Sequence, residues 1–146
     1  MDSESLDPEV FISNSLGETD LFVSQLVKKI PPNSTIFLNG EMGAGKTYLC
    51  SRIASHFGVE SLTSSSFGRV SMHPGDVNIV HCDFYRSKLN HEFFSLEVEP
   101  LLKAPWLLLV EWAKNEEHVI DTGKNLTLEI IHKGPNSREI RLRAIN

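Results

Sequence analysis

The sequence predicts an α/β fold in which helices pack on a mixed central sheet. Apolar segments of strand length alternate with amphipathic segments of helix length in the first part of the chain. Residues 126–130 and 138–145 then alternate apolar and polar side chains on either side of a turn, which predicts a closing hairpin. One domain is expected over residues 1–146, with residues 1–8 as a loose polar segment.

The first predicted elements are a short strand and a capped helix. Residues 9–13 form a strand candidate. Ser15 and Glu18 have the spacing of a capping box, which satisfies free backbone amides in the first helical turn. Apolar residues recur at helical spacing over residues 23–30, so this face should contact the sheet. The segment 31–33, Pro-Pro-Asn, is expected to end the helix.

The segment Gly40–Thr47 has the pattern of a phosphate-binding loop, G-x-x-x-x-G-K-[ST]. Apolar residues 35–38 precede it as a buried strand, and the amphipathic residues 46–57 follow it as a helix. Backbone amides of such a loop and of the helix N-terminus point at phosphate oxygens. Because the flanking elements lie where the motif needs them, we prefer this interpretation to a glycine-rich turn with an incidental Lys-Thr pair. It predicts a P-loop NTPase-like three-layer α/β/α fold.

Within this loop, Lys46 is expected to reach the β- and γ-phosphates as a catalytic group, and the Thr47 hydroxyl is expected to ligate Mg²⁺. No Asn-Lys-x-Asp run is present to bind a guanine, which favours ATP as the nucleotide. The predicted nucleotide-binding residues here are Gly43, Ala44, Gly45, Lys46, Thr47 and Tyr48.

The middle of the chain predicts a hydroxyl-rich loop, a hairpin and short helices. Residues 61–67 form either a surface loop, which the composition favours, or a switch loop near the γ-phosphate. Residues 67–72 and 77–82 are predicted strands, joined by a turn at His73–Asp76. Residues 90–103 predict one or two short helices.

Two acids follow predicted buried strands. Asp83 follows residues 77–82, and Glu111 terminates the apolar strand 106–110. Ligands of open α/β sheets bind at the carboxyl ends of strands, where a phosphate loop needs an acid for Mg²⁺. Each acid alone could be a helix cap or a surface charge. Together they are predicted catalytic and metal-associated residues, one acting on the metal and one on the attacking water.

Other reactive side chains have simpler interpretations. His81 and Asp83 share a strand face, but a zinc site would need a third ligand that the sequence does not reveal. Cys50 and Cys82 lie in apolar segments and are expected to be buried thiols. Trp112 is expected to pack rather than to stack on a ligand.

The composition limits the partners. The net charge of −5 argues against a broad nucleic-acid-binding face, so any contact with RNA should be indirect or local. The polar N-terminal residues carry no apolar leader, and no apolar run is long enough to span a membrane. We therefore expect a cytoplasmic protein without a membrane partner.

The chain resembles the TsaE (YjeE) family of small P-loop ATPases, which support threonylcarbamoyladenosine modification of tRNA in bacteria. The resemblance runs from about residue 9 to the C-terminus, with order and spacing preserved. The matching segments are Gly17-Glu18-Thr19, Gly40–Thr47, Ser64-Ser65-Ser66-Phe67, His81-Cys82-Asp83-Phe84-Tyr85-Arg86, Glu111-Trp112 and Ser137-Arg138-Glu139.

This resemblance implies ATP and Mg²⁺ as cofactors. It implies that Glu111 is the metal-associated acid and Asp83 the second acid of hydrolysis. Thr19 and Arg138 would lie near the nucleotide. Ser66 stands where the family has a switch-loop threonine, and it follows a serine where the family has proline, so the loop is expected to be less stiff.

The resemblance also implies a partner. The family acts on the complex of TsaD and TsaB and is thought to use ATP to reset it, which makes the contact with tRNA indirect. Trp112 and the pair Tyr85-Arg86 would serve activity or partner contact. Two other functions remain open: a small-molecule kinase with Asp83 as the base, and a nucleotide-gated binding module with little turnover. The kinase would need an arginine-rich lid, which is not evident.

Overall fold

The computed structural model describes residues 9–41, 45–60, 62, 70–83, 91–112 and 123–144. Its strands are β1 (Glu9–Ser13), β2 (Ser34–Gly40), β3 (Val70–His73), β4 (Asn78–Asp83), β5 (Trp106–Trp112), β6 (Lys124–Gly134) and β7 (Ser137–Ala144). Two helices are α1 (Leu16–Val27) and α2 (Lys46–Ser55), and three consecutive short helical segments span His91–Phe93, Phe94–Val98 and Glu99–Leu101. Among the described residues, no helix is long and apolar enough to cross a membrane.

The seven strands form one mixed sheet in the order β1-β7-β6-β2-β5-β4-β3, which confirms the predicted sheet type. The central strands β6, β2, β5 and β4 run parallel, and the pairs β1–β7, β7–β6 and β3–β4 are antiparallel. Parallel strands end at the same edge of a sheet, so the carboxyl ends of β2, β4 and β5 lie side by side.

The strand β5 is longer than the sequence predicted. Glu111 was expected to terminate it, but the strand continues to Trp112. The reason is backbone pairing with β2, which pairs Leu38 with Glu111 and Asn39 with Trp112. Glu111 therefore projects from a paired strand with a defined face, instead of from a loop.

Apolar layers cover both faces of the sheet, as the three-layer prediction requires. Side chains alternate between the faces along each strand. One layer packs under α1 and α2 and includes Val23, Leu26, Ile36, Leu38, Leu49, Ile53, Ile79, Leu107, Leu109, Leu128 and Ile140. The other packs against the three short helical segments and includes Phe37, Val80, Cys82, Val98, Trp106, Leu108 and Val110.

The predicted cap of α1 is present with one difference. The Glu18 amide donates to Ser15 Oγ at 3.1 Å, as in a capping box. The Glu18 carboxylate, however, accepts from the amide of Asn14 at 2.8 Å, one residue before the N-cap. Ser15 has an extended backbone, with φ −161° and ψ 164°. The cap still satisfies two backbone donors at the helix start.

Asn33 joins the starts of three parallel strands. Its amide donates to the Trp106 carbonyl at 2.9 Å, and its side-chain Oδ1 accepts from the Trp106 amide at 3.1 Å. Its own carbonyl accepts from the Lys124 amide at 3.1 Å. Asn33 has a φ of 61°, a region that asparagine tolerates better than most residues. The sequence predicted only that Asn33 helps to end α1. In the structure, Asn33 also aligns β2, β5 and β6.

Asn33→Gly should destabilise the fold by about 1–3 kcal/mol, because the Trp106 amide loses its acceptor in a buried position. Asn33→Asp is the matched control, since it keeps an acceptor oxygen and tolerates the same φ; its change should stay within about 0.5 kcal/mol. Urea unfolding of the three proteins gives the free energies of unfolding. Equal losses in both variants would contradict the role assigned to the side-chain oxygen.

Candidate functional site

The predicted phosphate loop lies between β2 and α2, and its lysine folds back over it. Gly45 precedes α2 with a φ of +107°, a conformation that favours glycine. Lys46 Nζ donates to the Gly40 carbonyl at 2.7 Å and to the Glu41 carbonyl at 3.0 Å. Only 8% of Lys46 is exposed. Its ammonium group is therefore held at the loop by carbonyl oxygens that a phosphate group could replace.

Both strand-end acids act electrostatically on this ammonium group. Burial lowers the pKa of Lys46 below its ordinary value, and the negative charges of Glu111 and Asp83 oppose that change. The register between β4 and β5 pairs Asp83 with Glu111, so both acids lie on the sheet face that α2 covers. The structure thus brings together the lysine and the two acids that the sequence singled out.

Glu111 connects the sheet to the first turn of α2. Its Oε1 accepts a hydrogen bond from Thr47 Oγ1 at 2.9 Å. Its Oε2 lies 2.6 Å from His81 Nε2 on β4. Glu111 is 4% exposed, so these polar contacts form in a nearly dry environment. The carboxylate therefore has a defined partner on each oxygen.

These donors keep the buried carboxylate charged. Burial alone would raise the pKa of Glu111, but the hydrogen bond and charge of His81, the Thr47 hydroxyl and the Lys46 charge lower it below the ordinary value. Burial and the Glu111 charge raise the pKa of the neighbouring Cys50 thiol well above its usual range. The predicted burial of both thiols is confirmed, and burial raises the pKa of Cys82 to about 12.

The residues present fit a magnesium–nucleotide complex. Mg²⁺ prefers oxygen ligands, and a hydroxyl and a carboxylate oxygen, from Thr47 and Glu111, already face each other. Glycine at position 45 is favoured by its φ of +107°, and a Cβ there would lie 2.6 Å from Arg138 Nη1, so the flexible Arg138 side chain would have to move. The guanidinium of Arg138 thus lies directly against the phosphate loop. Together, the Thr47 hydroxyl, the Glu111 carboxylate and the Arg138 guanidinium suit the binding of phosphate groups with a hard divalent cation.

Tyr48 is held beside the loop by residues that the sequence did not single out. Its hydroxyl donates to Asp20 Oδ1 at 2.8 Å, and Arg52 Nε donates to the same oxygen at 3.0 Å. Asp20 is an acid on the surface of α1. It is far from Tyr48 in sequence, so no local sequence pattern connects the two residues. The contact links α1 to α2 next to Arg138, whose charge acts on the Tyr48 phenol.

Thr19 has a local structural contact. It is fully buried, its Oγ1 lies 2.6 Å from Ser13 Oγ, and it donates to the Ser15 carbonyl at 3.2 Å. These bonds connect the end of β1 to the start of α1. A contact of Thr19 with nucleotide stays a prediction. The predicted residues Gly43, Ala44, Ser66, Tyr85 and Arg86 lie outside the described residues.

The model of a known family matches most of this chain. Residues 13–140 match the family "Threonylcarbamoyl adenosine biosynthesis protein TsaE". The chain belongs to the TsaE family. The resemblance inferred from the motifs is confirmed, and with it a role in tRNA threonylcarbamoyladenosine biosynthesis.

Several proteins named tRNA threonylcarbamoyladenosine biosynthesis protein TsaE are similar to the chain. The protein of Rickettsia bellii (strain RML369-C) is 34% identical over 114 residues, which is 76% of this chain and 78% of that protein. The protein of Treponema pallidum (strain Nichols) is 24% identical over 104 residues, 70% of this chain and 77% of that protein.

The fold also matches a solved structure. The crystal structure of Bacillus subtilis YdiB superposes with a TM-score of 0.68 over 97% of this chain and 88% of that one. At 19% sequence identity, the likeness concerns the fold. The predicted layered α/β fold of the TsaE family member is thereby confirmed.

Glu111→Gln should make the free energy of unfolding depend less on pH in the acid range. The pKa of Glu111 is lower in the folded protein than its ordinary value, so the charged carboxylate stabilises the fold above the ordinary pKa. That contribution is lost as the pH falls through the lowered folded pKa. From neutral pH to about pH 3, the wild type should lose more free energy of unfolding than Glu111→Gln.

Urea unfolding at a series of pH values measures this difference, and Glu60→Gln, at an exposed position, controls for the loss of a surface carboxylate. Parallel pH profiles for the wild type and Glu111→Gln would contradict the assigned stabilisation.

Proposed function

We propose that this chain is an ATP-binding and ATP-hydrolysing accessory protein of tRNA threonylcarbamoyladenosine biosynthesis, acting on the TsaD–TsaB complex in the cytoplasm. The observation that carries the proposal is the 2.9 Å hydrogen bond between Thr47, in the first turn of α2, and Glu111, at the end of β5. Thr47 and Glu111 are the residues that would hold Mg²⁺, and the ion would supply positive charge that stabilises the phosphate groups.

Binding of the phosphates would use cationic groups already at the loop. Lys46 Nζ would exchange its bonds to the Gly40 and Glu41 carbonyls for bonds to phosphate oxygens. Arg138, against Gly45, would add a second positive charge. The N-terminus of α2 contributes backbone amides and its dipole. These interactions would bind the triphosphate through its phosphate groups and would not contact the nucleotide base.

Hydrolysis would depend on the two acids. Bound Mg²⁺ would neutralise charge that develops on the phosphate oxygens, and Thr47 and Glu111 are the residues to hold it. Asp83, opposite Glu111 on the neighbouring strand, would orient the attacking water. The two acids would then have separate roles at one sheet edge, as an ATPase needs and a simple anion-binding loop does not.

Membership of the TsaE family supports the proposed partner. Relatives carry the name of the tRNA modification pathway, and the acidic chain is suited to act on a protein complex while tRNA is contacted indirectly. ATP binding and release would reset TsaD–TsaB between reaction cycles. A single-domain ATPase whose site is completed by a partner turns over slowly by itself.

Phosphate release from Mg·ATP should be slow with the chain alone and faster when TsaD–TsaB is added.

Lys46→Ala should abolish nucleotide affinity, because the phosphates lose their ammonium partner, while Glu111→Ala should mainly lower turnover. Isothermal titration and a phosphate-release assay separate the two effects. Tight binding with unstimulated turnover would indicate a nucleotide-gated binding module, and phosphate transfer to a metabolite would indicate a kinase. Normal hydrolysis by Glu111→Ala would show that this acid is wrongly assigned.

Gly45→Ala should weaken nucleotide binding about tenfold or more, since the new methyl group meets Arg138 and the residue requires a positive φ. Gly58→Ala is a matched control: Gly58 also has a positive φ, +89°, but nothing lies within 4 Å of the added Cβ. It should cost about 1 kcal/mol of stability and leave nucleotide affinity unchanged. Equal affinities for the two variants would contradict the role of the Gly45–Arg138 contact.

A further inference from the structure

We infer that His81, assisted by Cys50, is a positioning residue that orients the Glu111 carboxylate toward the metal. The inference deepens the proposed function and rests on it. His81 is 4% exposed, lies on β4 and shares a strand face with Asp83. Cys50, on α2, is fully buried. The ligating atoms of Cys50, His81 and Glu111 all lie within 4.8 Å of one another.

The direction of the hydrogen bond between His81 and Glu111 is determined by chemistry. The ionised carboxylate can only accept, so His81 Nε2 carries the proton and donates across 2.6 Å. Hydrogen bonds to a charged oxygen are shorter and stronger than neutral ones. The Cys50 Sγ lies within 4.8 Å of the ligating atoms of both His81 and Glu111, so the fully buried thiol packs against this pair.

The consequence is a fixed rotation of the carboxyl group. The terminal torsion of a glutamate is soft and has two nearly equivalent orientations. With Oε2 bound to His81, Oε1 points at the Thr47 hydroxyl, where it accepts at 2.9 Å. A metal ligand whose oxygen is already aimed loses less conformational entropy when the ion binds. His81 therefore acts on the metal through Glu111 and needs no contact with nucleotide.

The same three side chains could suggest a transition-metal site. A tetrahedral ion with bonds of about 2 Å would separate its nitrogen and oxygen ligands by about 3.3 Å. The 2.6 Å between His81 Nε2 and Glu111 Oε2 is too short for that and fits a direct hydrogen bond. We therefore assign His81 and Cys50 to holding the Glu111 carboxylate in position, and not to binding a transition metal.

The test compares Mg²⁺ binding in His81→Leu, which has no donor, with His81→Gln, whose amide N–H reaches about as far as Nε2. Mn²⁺ binding in the presence of ADP, followed by electron paramagnetic resonance, and competition by Mg²⁺ report the metal affinity. His81→Leu should weaken metal binding about 10- to 100-fold, as loss of a residue that orients a metal ligand does. His81→Gln should recover most of it, and Cys50→Ala should show a smaller loss.

Two controls separate orientation from a general loss of structure. ADP binding in EDTA, which involves no metal, should be unchanged in each variant. His56→Leu, at an exposed position on the end of α2, should leave metal binding at the wild-type level. If His81→Leu does not fold, as thermal unfolding would show, His81→Asn replaces it, because its amide is too short to reach Glu111.

The inference is overturned if His81→Leu binds Mn²⁺ as the wild type does, or if His81→Gln is equally impaired. Stoichiometric Co²⁺ binding with a thiolate absorption band that Cys50→Ala removes would also overturn it, in favour of a transition-metal site. A wild-type chain that binds no nucleotide at any Mg²⁺ concentration would overturn the proposed function and this inference together. Normal nucleotide binding with unchanged metal affinity in the variants would overturn this inference alone.

Discussion

The Glu111 carboxylate is the point on which the arrangement of this site depends. A charged group that is only 4% exposed needs hydrogen-bond donors in place of water. Its donors come from separate elements: Thr47 on α2 and His81 on β4. The hydrogen bonds to this one charged side chain therefore require both the packing of α2 on the sheet and the register between β4 and β5.

That coupling requires the sheet to be parallel at its centre. Parallel pairing of β2, β4 and β5 sets their carboxyl ends at one edge, where loop, lysine and acids meet. At the opposite end, Asn33 bonds to the starts of β5 and β6 and sets their alignment with β2. A slip of one residue would turn Glu111 to the other face and leave its charge without donors. Stability and the geometry of the candidate site thus depend on the same register.

Local signals predicted most elements because each depends on residues close in sequence. Periodicity identified α1 and α2. Strand ends were less accurate: the extension of β5 through Glu111 depends on pairing with β2, which no local pattern encodes. The bond from Tyr48 to Asp20 was missed because residues 28 positions apart carry no shared motif.

The sequence by itself determined the chemistry: a phosphate loop ending in Lys46 and Thr47, two acids after apolar strands, and the family those motifs identify. Those features are short and contiguous, so they can be read without coordinates. Only the tertiary structure decided which acid meets Thr47, that His81 binds this acid with Cys50 beside it, and that Arg138 lies against Gly45. The physical reason is that hydrogen bonds to a buried charge join elements distant in sequence, and strand register and helix packing alone set their distances.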